Sequence, residues 1–331
     1  MEKVVTVILI LSLCFMPAQI QAKSVTSGTD GNGNKWTYNT STKTLTFTGN
    51  KAISDFTLNG HDREPSWYRW SNKTEHIVIE EGITGIGSEA FAGFVKVLSV
   101  NIPYTVKKIK RSSFENNYRL REIQIPNEII SIGDKAFAGC YGLKNLSLPS
   151  KLNYVGSFEF CKNIKSISLP DSIKDTADGM FTGCEMLTSV KLPRKLKAIK
   201  SYDFVDCRKL TKLNIPVTVK VVYMSAFAGS GLKKIVLPSN VQKIRNGNDG
   251  QKVFEYIKGI GYPTKNLRVI EIHSKKVKSI QKNSFSGLSS KVVIKVPKSK
   301  KKKYTKMLRK SGLSKKVKIV AIEKEARKYE K

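Results

Sequence analysis

Between residues 74 and 297 the chain repeats one arrangement of apolar and polar positions. Residues 120–140, LREIQIPNEIISIGDKAFAGC, show the unit. Leu120, Ile123 and Ile125 carry the apolar side of a short strand, with polar residues between them. Pro126 ends that strand, because proline cannot extend a ladder on both sides. Ile129 and Ile132 mark a second inward stretch, Gly133 permits a tight bend, and Ala136 with Phe137 packs a single turn. The strand returns as VLSVNIP, LKNLSLP, IKSISLP, LTSVKLP, LTKLNIP and LKKIVLP.

Two residue types alone reveal the period. Phe91, Phe114, Phe137, Phe158, Phe181, Phe204 and Phe285 each stand 12 residues before a proline, and Phe227 stands 11 before Pro238. From Pro103 to Pro238 successive prolines are 23, 23, 21, 23, 23 and 22 residues apart. Weaker copies begin at Ile77 and Ile79 and again at Leu267, Ile270 and Ile272, and residues 292–296 read as a last strand. The pattern predicts a β-rich fold: a solenoid of about ten turns with a parallel sheet on one face. A single unit cannot bury its own apolar face, so coils must stack and both ends need caps.

The same reading divides the chain. Residues 1–22 have an apolar run behind Lys3 that is too short to span a bilayer, with Ile20 and Ala22 suited to a cleavage site. They read as a secretory signal, and no second apolar stretch suggests a transmembrane anchor. Residues 23–73 are an N-terminal β cap, 74–297 the solenoid and 298–331 a basic C-terminal cap. Pro238 and His273 are 35 residues apart, 12 more than the usual 23, which places an insertion within 245–262. Its Asn246-Gly247 and Asp249-Gly250 pairs are turn signals, and Phe254 takes the usual Phe place. It reads as a surface excursion, with a binding loop as the alternative.

L-x-x-I-x-L-P followed by V-x-x-I-G-x-x-A-F-x-x-C resembles the repeat of BspA-like leucine-rich repeat proteins of bacterial surfaces. The resemblance covers residues 74–297. The stretch GNGNKWTYNTSTKTLTFTGNKAISDF with PSWYRW is similar to the β cap that precedes such arrays, and VPKSKKKKYTKMLRKSGLSKKVKI to their terminal segment. The resemblance implies a right-handed leucine-rich-repeat solenoid that binds extracellular macromolecules, but names no ligand.

Few residues suit catalysis or metal binding. Cys140, Cys161, Cys184 and Cys207 share one repeat position, three after the motif Phe, and read as a column of reduced core thiols. A straight column does not converge on one zinc ion. His61, His76 and His273 are too far apart in the repeat scheme to cooperate, and read as surface residues. Asp30, Asn32 and Asn34 echo a calcium loop but lack its closing carboxylate, so a flexible turn is expected. Trp36 and Trp67 read as plugs for the first coil; a sugar platform including Trp70 is the other reading. No cofactor or metal is expected, and the sparse, scattered acids argue against an enzyme.

Two surfaces remain as candidates for binding. The outward strand positions include Gln124, Asn145, Ser147, Ser166, Ser168, Ser189, Lys191, Lys212 and Asn214, a polar and mostly uncharged face for a protein partner. The other surface is electrostatic. The 331 residues hold 59 Lys+Arg against 26 Asp+Glu, a net charge of +33, more than solubility requires. Residues 298–331 alone contain 15 basic and three acidic residues, net +12. A helix near 299–311 would bury Tyr304, Met307 and Leu308 and present its basic residues. Lys300, Lys301, Lys302, Lys303, Lys306, Arg309, Lys310, Lys315 and Lys316 are the candidate polyanion contacts.

The expectation is a secreted or cell-surface monomer that binds an extracellular protein, a glycan or an anionic cell-wall polymer. A specific nucleic-acid role is not expected, since no aromatics are interleaved for base stacking. The alternative is a passive structural or spacer repeat protein without a dedicated ligand.

Overall fold

Each apolar stretch before a proline supplies one short parallel rung, and each second inward stretch supplies another, so most coils contribute to two ladders. The structure, a computed structural model, describes residues 25–56, 65–247 and 266–323. The expected signal segment 1–22, His61, Phe254 and most of the insertion lie outside the described residues.

The first ladder runs in parallel from Thr44–Thr48 through His76–Ile79 and Ser99–Asn101 to Glu122–Ile123. It resumes with Ser166–Ser168 beside Ser189–Lys191. It then continues from Lys234–Leu237 through Val269–Ile272 and Val293–Val296 to Lys318–Ala321. The second ladder joins Gly85–Ile86, Lys108–Ile109, Ser131–Ile132 and Tyr154–Val155. Further along, it joins Ala198–Ile199, Val221–Tyr223, Lys243–Arg245 and Ser279–Ile280.

Two expected strands of the first ladder are not formed as such. In LKNLSLP only Asn145 bridges to Ser166, and LTKLNIP forms no strand. Each is as long as IKSISLP and LTSVKLP, which do pair, and each unformed strand still occupies its place in the stack. That place is held by inward side chains such as Leu146 and Leu210, both buried.

Those side chains form one continuous core. Its axis is a column of phenylalanines. Successive ring centres from Phe91 through Phe114, Phe137, Phe158, Phe181 and Phe204 to Phe227 are 5.5, 5.6, 6.3, 6.1, 5.7 and 6.3 Å apart. All six pairs are stacked. The fixed period sets each ring directly over its predecessor, which converts sequence spacing into packing.

The N-terminal cap extends the first ladder instead of standing apart from it. Val25–Thr29, Lys35–Asn39 and Thr44–Thr48 form an antiparallel meander whose last strand pairs in parallel with His76–Ile79. Trp36, Tyr38, Leu45, Phe47 and Trp67 are buried beneath it. Trp67 packs edge-on to Phe47 at 5.0 Å and donates its indole N–H to the Ala90 carbonyl. Trp36 and Trp67 therefore act as the expected plugs, and Trp70 stacks on Tyr38 at 4.3 Å.

At the other end, a helix spans Lys301–Lys310. Tyr304 and Leu308 are fully buried and Met307 packs against the core. The Tyr304 hydroxyl accepts the Val277 amide at 3.1 Å and donates to the Ser274 carbonyl at 3.0 Å. Lys318–Ala321 then adds the final parallel rung.

Candidate functional site

The first ladder places its outward residues in two columns, and all nine predicted sheet-face residues are exposed: Gln124, Asn145, Ser147, Ser166, Ser168, Ser189, Lys191, Lys212 and Asn214. Register aligns Asn145 with Ser166, Ser166 with Ser189, and Ser168 with Lys191. The middle of this face is thus a hydroxyl and amide surface with little charge. Toward the C-terminal end it becomes ionic. Glu271, nearly buried, takes Lys234 at 2.9 Å, Lys295 at 3.5 Å and His273 at 3.0 Å. Burial pushes its carboxyl up, but hydrogen bonds from His273 and Lys234 and their charges outweigh that and hold it below the ordinary range.

His273 is therefore committed to an ion cluster rather than lying free on the surface. His76 is half-buried, with Nδ1 2.7 Å from the Ser99 hydroxyl.

The four cysteines are free and fully buried. Each Sγ points at the carbonyl of the preceding coil's motif Phe: Cys140 to Phe114, Cys161 to Phe137, Cys184 to Phe158 and Cys207 to Phe181, at 3.0–3.2 Å. Asn117 occupies the same place and donates its amide to Phe91 at 2.8 Å. In these five coils the position holds a buried donor to the coil before it; Phe94 and Leu288 fill it with apolar side chains in two others. Burial pushes the thiols up, Cys161 to about 12, so they are protonated donors, not thiolate nucleophiles or metal ligands.

The Asp30 loop is not the flexible turn the sequence suggests. Its buried carboxylate accepts the amides of Asn32, Asn34 and Ser54 and the Asn34 side chain, at 2.8–3.1 Å. These bonds make the loop a clasp within the cap, tying the turn before Lys35–Asn39 to the segment after Thr44–Thr48.

On the C-terminal cap, Lys301, Lys302, Lys303, Lys306, Lys310, Lys315 and Lys316 are exposed and Lys300 is half-exposed. Arg309 differs, since its guanidinium donates to the carbonyls of Ser314 and Val317 and clamps the turn after the helix. Among the described residues, no carboxylate forms an ion pair with a lysine between 298 and 318.

One exposed feature escaped the sequence reading. Tyr118, Tyr141, Lys162, Glu185 and Arg208 each lie four residues after a motif Phe and form a column along one edge. The two tyrosine rings stack at 4.9 Å, the Lys162 ammonium lies 5.2 Å from the Tyr141 ring, and Glu185 joins Lys162 and Arg208 at 3.5 Å each. The common offset was the available signal. Beside them Phe160, 42% exposed, holds φ +58° where other coils place glycine, asparagine or aspartate. Its ring lies over Gly183, where a Cβ would meet it at 2.5 Å.

Comparison with known proteins agrees with this architecture. No curated protein matches the chain in sequence. The crystal structure of a leucine-rich repeat protein from Bacteroides ovatus is 23% identical, with TM-score 0.51, covering 87% of this chain and 77% of that one. A leucine-rich repeat protein from Eubacterium ventriosum is 19% identical, with TM-score 0.53, covering 82% and 84% respectively. These likenesses are of fold. The sequence pattern of the BspA-type leucine-rich repeat region matches residues 64–161, 155–260 and 255–327 in 6 copies. With its coils, caps and repeat positions accounted for, the chain belongs to the BspA-type leucine-rich repeat proteins.

Proposed function

We propose that this protein is an exported, non-enzymatic binding module of a bacterial surface, held on anionic wall polymer or glycan by its C-terminal cap. The reading is carried by where the lysines stand. Lys300 is the N-cap residue of the terminal helix and makes no side-chain cap, Lys301, Lys302 and Lys303 form its first turn, and no acid is present there. A helix start carries the positive end of the macrodipole, so each cation near it costs a few tenths to about 1 kcal/mol. Solubility alone could be supplied by lysine anywhere else on the surface. Four cations at the least favourable place on a rigidly docked element point to selection for an anionic partner. The polar sheet face, mostly uncharged in its middle, is left for a macromolecular contact.

The test is charge reversal in the quadruple variant Lys300→Glu/Lys301→Glu/Lys302→Glu/Lys303→Glu. Acidic residues suit a helix N-terminus, so the variant keeps its fold. Retention on immobilised heparin and on purified wall polymer is read across a salt gradient. The natural chain should be retained and should release steeply as salt screens the contacts, and the variant should elute at clearly lower salt. Equal elution of the two refutes the reading.

A further inference from the structure

The second ladder carries a groove that neither the sheet face nor the C-terminal cap accounts for. It has a volume of about 570 Å³ and is lined by Asp178, Lys200, Ser201, Tyr223, Lys243, Arg245 and neighbouring residues. Register explains its regularity. Ala198 pairs with Val221 and Val221 with Lys243, while Tyr223 pairs with Arg245. One row across the rungs therefore reads Lys200, Tyr223, Arg245 and Gln281, roughly 14 Å long at the usual strand spacing.

The groove is polarised along that row. At one end Lys200 is bound to Asp175 at 3.0 Å, and exposed Asp178 supplies an acceptor. In the middle Tyr223 forms an aromatic wall. At the other end Lys243 and Arg245 are exposed, and no carboxylate among the described residues pairs with either. The Arg245 guanidinium lies 5.8 Å from the centre of the Tyr223 ring, and both side chains line the groove. At the floor, Gly247 has φ +87°, and a Cβ there would meet Ser225 Oγ at 2.2 Å and Ser201 Oγ at 2.6 Å. Only glycine lets the chain lie this low.

A bare anion would need the cationic end alone, and a neutral sugar would leave the Arg245 fork without a carboxylate partner among the described residues. We infer that this groove binds an acidic saccharide: a pyranose ring against Tyr223, its hydroxyls toward Asp178, and its carboxylate or sulfate on Arg245 and Lys243. The inference is independent of the terminal cap, because the recognition is directional and local instead of a summed field. Arg245 can make two parallel hydrogen bonds to a carboxylate or sulfate, which lysine in its place cannot.

The experiment is calorimetric titration of the full chain at salt high enough to screen diffuse attraction. The probes are the unsulfated and the sulfated disaccharides of hexuronate and N-acetylhexosamine, a neutral disaccharide, and inorganic sulfate. At least one acidic disaccharide should bind, and the two together show whether carboxylate alone suffices or sulfate is needed. Arg245→Lys, an exposed and charge-conserving change, should weaken binding about tenfold or more, and Lys243→Ala should weaken it less. The quadruple cap variant should bind the disaccharide as the natural chain does. The inference is overturned if neither acidic disaccharide binds, if the neutral sugar or sulfate binds as tightly, or if Arg245→Lys has no effect. Loss of binding in the cap variant with none in the groove variants would leave the cap reading standing and remove this one.

Discussion

Replacing Phe137 by alanine opens the aromatic column near its middle. The ring is fully buried between Phe114 at 5.6 Å and Phe158 at 6.3 Å, with interplanar angles of 5° and 4°. The Phe137 carbonyl still accepts the Cys161 thiol, so the change removes the ring and leaves the inter-coil hydrogen bond in place. Truncating a core phenylalanine costs about 3–5 kcal/mol in lost transfer energy and cavity. Each of the two stacks is worth about 0.5–1.5 kcal/mol beyond area, which places the loss toward the upper half of that range. In a solenoid the loss falls on the two interfaces this coil shares with its neighbours, so the halves on either side should begin to unfold separately. Urea unfolding followed by circular dichroism should show a lower midpoint and a shallower or two-step transition. Ser147→Ala, on the exposed outward face, should stay within about 0.5 kcal/mol of the natural chain. A loss under about 1 kcal/mol for Phe137→Ala would refute the column as the main source of inter-coil coupling. A full loss with one unchanged, steep transition would refute the nearest-neighbour part of the reasoning.

Two further outcomes follow from single buried groups. Tyr304→Phe strips the hydroxyl that serves both the Val277 amide and the Ser274 carbonyl. It should cost about 1–3 kcal/mol, read as faster hydrogen exchange of the C-terminal cap before any change in the N-terminal coils. Burial pushes the Asp203 carboxyl up to about 8 from its ordinary 3.8, against the amides of Lys200 and Met180 that favour its charged form. The unfolded chain therefore releases this proton first. Stability from this group is greatest below the ordinary value and falls by about 1 kcal/mol per pH unit up to the folded value. The urea midpoint of the natural chain should drop between pH 5 and pH 8, and Asp203→Asn should flatten that slope.

The repeat was legible because its physics is local. A strand closed by proline, a turn and a buried Phe recur at fixed offsets, and stacking such units is the way each can bury its apolar side. The plugs Trp36 and Trp67 and the docking of Tyr304 and Leu308 could be read for the same reason. The donor role of the cysteine position was half visible, because Asn117 and Ser230 stand there in other coils. The carbonyl that Asn117 and the cysteines serve belongs to the coil before, and only the stacked structure brings it near; Ser230 instead donates to Phe227 of its own coil.

The Asp30 clasp, the Glu271 cluster and the Arg309 clamp were misread or unseen. In each, partners distant in sequence or in an unexpected turn decide whether a polar side chain is free or spent. Residue type and spacing along the chain settled the solenoid, its caps and its excess of positive charge. Which cations remain unpaired, and that Tyr223, Arg245 and Lys243 line one groove, was decided by register between coils. That alignment depends on how many residues each turn consumes, and it exists only once the coils have closed on one another.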